Sequence, residues 1–251
     1  MPSGNTVTKR ILLINPNTSA AVTELLLAHC RRLHADVEWH GVTSRIGAPY
    51  IATEVAYALA AHAVLETYAE HVEWHDAVFL ACFGDPGLQA LQEIASVPVI
   101  GLAQSSFLAA GARGPFAVVT GGHAWKPMLQ RFARAQQLDT HLTSIHTVAL
   151  SGAQMAASPK HALELLVEAA HLGVAAGASS ILLGGAALAG MASALQSQVP
   201  IPVLDNVALA AQAVVDAVTG LSTRAAPAAP VAPGLTTMGV GAALAALLRG
   251  H

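Results

Sequence analysis

The strongest constraint on the fold is a regular alternation of short apolar runs with longer amphipathic stretches. A short apolar run predicts a buried strand and an amphipathic stretch predicts a helix, and their alternation is typical of an α/β chain with parallel strands. The predicted strands are 11–15, 37–42, 77–82, 97–101, 116–120, 141–148, 180–185 and 201–205. The predicted helices are 18–34, 52–73, 86–95, 103–112, 124–137, 158–176, 188–197 and 206–219, with one more at 238–248. A Pro/Ala-rich stretch, 225–233, predicts a surface linker.

The predicted strands form two sets that resemble each other. Three strands of the first set match three of the second at offsets of 105, 104 and 103 residues: 11–15 with 116–120, 97–101 with 201–205, and 78–82 with 181–185. A constant order and a nearly constant offset indicate an internal duplication. In this alignment the counterpart of Cys82 is Gly185.

The duplication predicts two similar lobes, each a roughly four-stranded parallel sheet flanked by helices, related by a pseudo-twofold axis. We expect residues 1–102 together with 206–251 to form the first lobe and residues 103–205 to form the second. Because open α/β sheets bind ligands beyond the carboxyl ends of their strands, the two sets of strand ends would face a shared cleft. We expect the active site in that cleft.

The composition excludes several classes of partner. The 251 residues include only 11% charged residues, with a net charge of −3 and no Lys/Arg run, which argues against nucleic-acid binding. Every apolar run is interrupted before 18 residues, so no membrane span is predicted, and no signal-peptide core is found. We therefore expect a cytoplasmic location. High Ala and Leu content with few charges favours apolar surface covered in a homo-oligomer.

Metal and disulfide sites are not indicated either. The two cysteines, Cys30 and Cys82, provide neither a disulfide framework nor a CxxC pair. The 12 histidines are scattered along the sequence, and we predict neither a metal nor a cofactor. Cys30 lies in a predicted helix among leucines and is expected to be a core residue.

Cys82 stands at the end of a predicted buried strand, directly before the turn Phe83-Gly84-Asp85-Pro86-Gly87. A thiolate is the reactive form of cysteine, and its pKa falls when backbone amides or a helix N-terminus point at it. The glycines of the turn would expose such amides, and a helix beginning near Pro86 would add its dipole. We therefore predict a reactive Cys82 with a lowered pKa.

Several motifs resemble one known family. Ile14-Asn15-Pro16-Asn17-Thr18-Ser19 is similar to the opening of the aspartate/glutamate/hydantoin racemase superfamily, and Cys82-Phe83-Gly84-Asp85-Pro86-Gly87 is similar to the first cysteine motif of its hydantoin/allantoin racemase branch. Gly47-Ala48-Pro49-Tyr50-Ile51 resembles the substrate loop of that branch, with Ala48 inserted. Val203-Leu204-Asp205 resembles the closing strand. The resemblance extends to about residue 220.

The resemblance implies a cofactor-independent racemase or isomerase that acts on a small carboxylate, an amino acid or a hydantoin-like molecule. Two cysteines would flank the reacting carbon, one removing a proton and the other returning one to the opposite face. Cys82 would be one of them. The residues implied in substrate binding are Asn15, Pro49, Tyr50, Phe83, Gly84, Asp85, Thr120, Gly121, Gly185 and Ala186.

The chain departs from this pattern at Gly185, which stands where the family usually has its second cysteine. A glycine carries no proton, so three interpretations remain open. Another residue could be the second base, with His123 as first candidate and Asp205 and Tyr50 as weaker ones. The enzyme could instead work from one face, as a decarboxylase resembling arylmalonate decarboxylase. Cys82 could also act as a nucleophile in a cis–trans isomerisation.

A different class of function is a small-ligand-binding protein that has kept the cleft and lost turnover.

Overall fold

Eight parallel strands form two separate four-stranded sheets in a computed structural model, which describes residues 8–73, 75–220 and 234–249. The first sheet contains β1 (Arg10–Asn15), β2 (Glu38–Thr43), β3 (Ala77–Leu80) and β4 (Val99–Gly101). The second contains β5 (Phe116–Gly121), β6 (Leu142–Val148), β7 (Ser180–Gly184) and β8 (Val203–Asp205). The predicted fold class is confirmed, and each strand lies within a few residues of its predicted position.

The two sheets have the same topology, and their central strand pairs, β1–β3 and β5–β7, have equivalent registers. Their strand orders are β2-β1-β3-β4 and β6-β5-β7-β8. Leu80 of β3 lies beside Ile14 of β1, and Leu183 of β7 lies beside Val119 of β5. Counting two residues onward from Leu80 and from Leu183 gives Cys82 and Gly185. The register therefore places these two residues at equivalent positions of the two sheets, as the sequence offset predicts.

Ten α-helices connect or follow the strands in the described residues. They are α1 (Ala20–Leu33), α2 (Glu54–Ala69), α3 (Leu88–Ile94), α4 (Leu102–Gly111), α5 (Trp125–Ala135), α6 (Gly152–Ala157), α7 (Pro159–Ala175), α8 (Ala192–Gln196), α9 (Asn206–Thr219) and α10 (Ala242–Arg249). The sequence did not predict α6, where the Ser151 hydroxyl and the Gln154 side chain form a capping box. It also missed a 3₁₀ turn over Ala186–Leu188 directly after β7.

The core runs between the two sheets without a break. Buried aromatic side chains from both halves pack together: Phe107 of α4 packs edge-to-face against Phe116 of β5, and its ring centroid lies 5.7 Å from that of Phe83. Helix α9 follows the second sheet but packs against α1, α4, β3 and β4. The lobe boundaries at 102/103 and 205/206 stay a prediction.

Two further features complete the fold. Helix α10 packs against α2 through the buried Leu244, and the Glu66 carboxylate accepts a hydrogen bond from the Gly241 N–H. The predicted linker at 225–233 lies outside the described residues. Within those residues, no helix combines the length and the apolarity that crossing a membrane requires.

Candidate active site

A cavity of about 520 Å³ opens beyond the carboxyl ends of β1, β3, β5 and β7. The ring of Phe83, after β3, lies so close to Gly184 of β7 that no Cβ would fit there, so the two strand ends meet at the cavity. Eight of the predicted site residues line it: Pro49, Tyr50, Cys82, Phe83, Thr120, Gly121, Gly185 and Ala186. In the described part of the chain, none of the lining side chains is a Lys, Arg, His, Asp or Glu.

Cys82 lies at the cavity wall and is only 7% exposed. Burial raises the pKa of its thiol, and the nearby Asp85 raises it further. The prediction of a lowered pKa is therefore wrong. The physical reason is that the lining brings no cation to the sulfur, while the helix after the turn, α3, has only seven residues and begins at Leu88.

Asp85 does not line the cavity but anchors the turn that carries Cys82. Its buried carboxylate accepts hydrogen bonds from the amides of Ala103 (2.9 Å) and Gln104 (2.7 Å) at the start of α4. Its own N–H donates to the Cys82 carbonyl at 3.0 Å. Burial raises the pKa of Asp85 to about 7, although the α4 amides lower it. Asp85 thus fixes the backbone beside the thiol.

Gly84 also lies outside this cavity and has a structural reason to be glycine. Its φ is +144°, and a Cβ would stand 2.6 Å from the ring of Trp125. Its carbonyl accepts a hydrogen bond of 2.7 Å from the Tyr57 hydroxyl. The turn after Cys82 can therefore pass beneath Trp125, whose indole closes one side of the cavity.

Gly185 lines the cavity at the position equivalent to Cys82. A Cβ there would lie 3.5 Å from Leu188 Cδ1 and 3.6 Å from Thr120 Oγ1, which are ordinary contact distances. The φ of Gly185 is +132°, however, a conformation that residues with a side chain rarely adopt. The site therefore has room for a side chain but a backbone suited to glycine.

Comparison with known proteins shows the family to which this chain belongs. The sequence profile described as Asp/Glu/hydantoin racemase matches residues 11–214. The chain belongs to the Asp/Glu/hydantoin racemase family. As a member of this family, it is an enzyme of the isomerase class, of the racemase type.

Individual relatives agree. A hydantoin racemase of Paenarthrobacter aurescens is 34% identical over 207 residues, which cover 79% of this chain and 86% of the relative. One from Pseudomonas sp. (strain NS671) is 31% identical over 203 residues, covering 79% and 81%. The structure of allantoin racemase from Klebsiella pneumoniae superposes with a TM-score of 0.80 at 29% identity, covering 95% of this chain and 93% of that one.

Asn15 lies beneath the cavity of this racemase-family chain, not at its surface. Its side chain is fully buried, and its Nδ2 donates to Asn17 Oδ1 (3.0 Å), the Ser19 carbonyl (3.1 Å) and Thr23 Oγ1 (3.0 Å). Asn17 and Ser19 line the cavity instead. Asn15 therefore orders the loop whose next residues reach the ligand space. Asn17 belongs to a motif that resembles the family, but it is not among the predicted site residues.

The structure does not bring His123 or Asp205 into the cavity. His123 is exposed, and its Nδ1 lies 3.0 Å from Thr147 Oγ1. Asp205 caps α9 and lies 3.2 Å from His29 Nε2. Burial opposes ionisation of Asp205, but the neighbouring His29 ring and hydrogen bonds from backbone amides lower its pKa. Neither side chain lines the cavity that holds Cys82.

Three histidines gather at a separate place on the surface. His40 Nδ1 lies 3.0 Å from His75 Nε2, and the ring of His71 packs edge-on against His40. Sequence reasoning missed this cluster, which the spacing His71-x-x-x-His75 could have indicated. No group of three metal-ligating side chains with suitable geometry occurs within the described residues. The absence of a metal stays a prediction.

Proposed function

We propose that this enzyme moves a proton at the C5 carbon of a 5-substituted hydantoin, without a cofactor, and that Cys82 is the acid/base on one face. The observation that carries the proposal is a thiol at a strand end, in an apolar cavity between two duplicated sheets. The curated relatives are hydantoin racemases, and they support the choice of substrate.

The lining of the cavity favours a hydantoin over the other substrates that the resemblance implies. A carboxylate or a free amino acid brings a formal charge, which is costly to bury without a partner. The described lining offers no charged side chain, whereas a hydantoin ring is uncharged near neutral pH. The apolar side chains of Val22, Leu25 and Met155 would accept an apolar 5-substituent.

The chemistry follows from the thiol. Removal of the C5 proton leaves an electron pair that is delocalised onto the ring carbonyl as an enolate. The first N–H groups of the 3₁₀ turn Ala186–Leu188 have no partner within that turn, and they are suited to bind the enolate oxygen. Because the pKa of Cys82 is raised, little thiolate is present, but the thiolate that forms is a stronger base. Its pKa is then closer to that of the weakly acidic C5–H group.

One observation favours a second candidate function, a decarboxylase that works from one face. Gly185 provides no acid at the position opposite Cys82. Loss of CO₂ generates a carbanion without a base, so a single neutral thiol could complete the reaction. The uncharged lining argues against this alternative because an arylmalonate carries two carboxylates.

Solvent exchange distinguishes the two functions. Each enantiomer of 5-benzylhydantoin is incubated in D₂O with the enzyme, and the C5–H signal is followed by NMR while chiral chromatography measures inversion, against the rate without enzyme. We expect exchange accompanied by inversion. Release of CO₂ from an arylmalonate with no exchange of the hydantoin would favour the decarboxylase. Binding of the hydantoin with neither exchange nor release of CO₂ from an arylmalonate would contradict both functions.

The remaining expectations are part of this proposal and rest on the sequence. They are the homo-oligomeric state, the cytoplasmic location, the independence from cofactors and the two lobe boundaries.

A further inference from the structure

Racemisation requires proton transfer on both faces of the reacting carbon, and the chain has a thiol on one side and Gly185 on the other. This inference rests on the proposed function and concerns the group that acts at the Gly185 face. Of the side chains that line the cavity in the described part of the chain, two are titratable: Cys82 and Tyr50. Because Cys82 acts on the other face, Tyr50 is the remaining candidate.

Tyr50 belongs to the loop between β2 and α2 of the first half, yet its phenol reaches the second half. The hydroxyl oxygen lies 3.4 Å from the Gly121 carbonyl oxygen at the end of β5. A Cβ on Gly122 would stand 2.5 Å from the same hydroxyl, so the absence of a side chain there gives the phenol its space. Tyr50 thus spans the cavity.

The sheet register shows which strand end the phenol has reached. Thr120 of β5 lies beside Gly184 of β7. The residues that follow them in the sequence, Gly121 and Gly185, are therefore neighbours at the ends of the two strands. Neighbouring strands are about 4.8 Å apart. The phenol therefore lies at the end of β5 in the second sheet, one strand away from Gly185 after β7, while Cys82 belongs to the end of β3 in the first sheet.

We propose that Tyr50 is the second acid/base of this enzyme and acts at the face where Gly185 leaves no thiol. Starting from one enantiomer, the Cys82 thiolate removes the C5 proton, and the C–H electron pair becomes the enolate. The Tyr50 hydroxyl then gives its proton to C5 from the opposite face, so that the enolate pair forms the new C–H bond and a phenolate remains. The other enantiomer reacts in reverse, from the phenolate to the thiol.

The surroundings of Tyr50 suit both of its protonation states. Burial raises the pKa of the phenol, so it is present as an acid when the enolate forms. A hydrogen bond with Trp125 lowers the pKa and stabilises the phenolate, while the negative charge of a Cys82 thiolate raises it. The interaction between Cys82 and Tyr50 also favours states in which only one of them is ionised. The two-base mechanism needs that alternation.

The test is Tyr50→Phe, assayed in D₂O with each enantiomer separately. We expect inversion to fall by about 100-fold or more for both enantiomers. The enantiomer whose C5–H faces Cys82 should still exchange its proton, with retention, within several-fold of the wild-type rate. Tyr68→Phe is the matched control because Tyr68 is a buried tyrosine of α2 that does not line the cavity. It should leave both rates unchanged.

Each other outcome contradicts a particular statement. Inversion at the wild-type rate in Tyr50→Phe would overturn the role of Tyr50 and leave the proposed function intact. Loss of exchange together with inversion, in a variant whose circular dichroism is unchanged, would make Tyr50 a positioning residue and would also overturn the inference. Absence of exchange in the wild-type enzyme would contradict the proposed function itself.

Discussion

The end of β3 and the end of β7 occupy equivalent positions in two sheets of identical topology, yet they are built differently. After β3 the chain carries Cys82 and enters a turn that Asp85 ties to α4. After β7 it continues through Gly185 into the 3₁₀ turn Ala186–Leu188. The end of β3 therefore presents a thiol on a fixed turn, whereas the end of β7 has no side chain at the equivalent position.

The difference shows which part of a duplicated fold is free to change. Strands β3 and β7 are buried along their whole length, and a change there would cost packing energy in the core. Gly185 follows the last residue of β7 and contributes no side chain to that core. Loss of a side chain at Gly185 therefore removes chemistry without removing a strand, and a residue from another loop, Tyr50, can occupy the adjacent space.

The largest expected effect comes from removing the chemistry of the first strand end. Cys82→Ser should lower hydantoin exchange and inversion by roughly 10³-fold, since a serine hydroxyl of similar size is far less readily ionised than a thiol. The melting temperature should change little. Cys30→Ala is the control, because Cys30 is buried in α1 away from the cavity. A Cys82→Ser enzyme with wild-type exchange would contradict the catalytic role of Cys82.

A second prediction makes the two strand ends alike. Gly185→Cys, introduced into the Tyr50→Phe enzyme, should raise inversion about tenfold because a thiol then stands on each face. The φ at residue 185 is +132°, so a side chain there should lower the free energy of unfolding by about 1–3 kcal/mol. Gly185→Ala in the same background carries the same strain without the thiol, and should lose stability without gaining inversion. Equal inversion rates in the Cys and Ala variants would contradict the equivalence of residues 82 and 185.

The third prediction concerns the anchors of the two halves, Asp85 and Asp205. The pKa of Asp85 is raised from 3.8 to about 7, so the folded state holds that proton more tightly than the unfolded state. The resulting stability is complete below pH 3.8 and is lost as the pH rises through about 7. The stability of the wild type relative to Asp85→Asn should therefore fall by about 1 kcal/mol per pH unit over this window.

Asp205 provides the opposite sign as a control. Its pKa is lowered, so its contribution is present above the unfolded pKa of 3.8 and is lost as the pH falls through the folded value. Urea unfolding of the wild type, Asp85→Asn and Asp205→Asn at pH 2.5, 4 and 7 measures both trends. A wild-type-minus-Asp85→Asn difference that stays constant from pH 4 to pH 7 would contradict the raised pKa of Asp85.

Most of the fold could be predicted because each buried parallel strand shows in the local sequence as a short apolar run, and these runs recur at a nearly constant offset. The strands around Leu12, Leu80 and Leu183 are examples. Helix α6 and the 3₁₀ turn were missed because six-residue and three-residue elements are too short to show a helical period. Their ends depend on local hydrogen bonds, such as the Ser151 cap.

The site was predictable as far as strand ends define it. Cys82, Thr120 and Gly185 follow directly from the topology, since carboxyl ends of parallel strands share one edge. The pKa direction of Cys82 was not predictable, because it depends on what other elements place around the sulfur. The same holds for Trp125, which reaches the cavity from α5, and for the path of Tyr50 across the cleft.

Helix α4 connects the two sheets, running from β4 of the first towards β5 of the second. Its first amides hold the Asp85 carboxylate, and the Asp85 N–H holds the carbonyl of Cys82. The backbone that carries the thiol is therefore held by the segment that joins the two sheets as well as by β3, which fixes the sulfur at the boundary between the two halves.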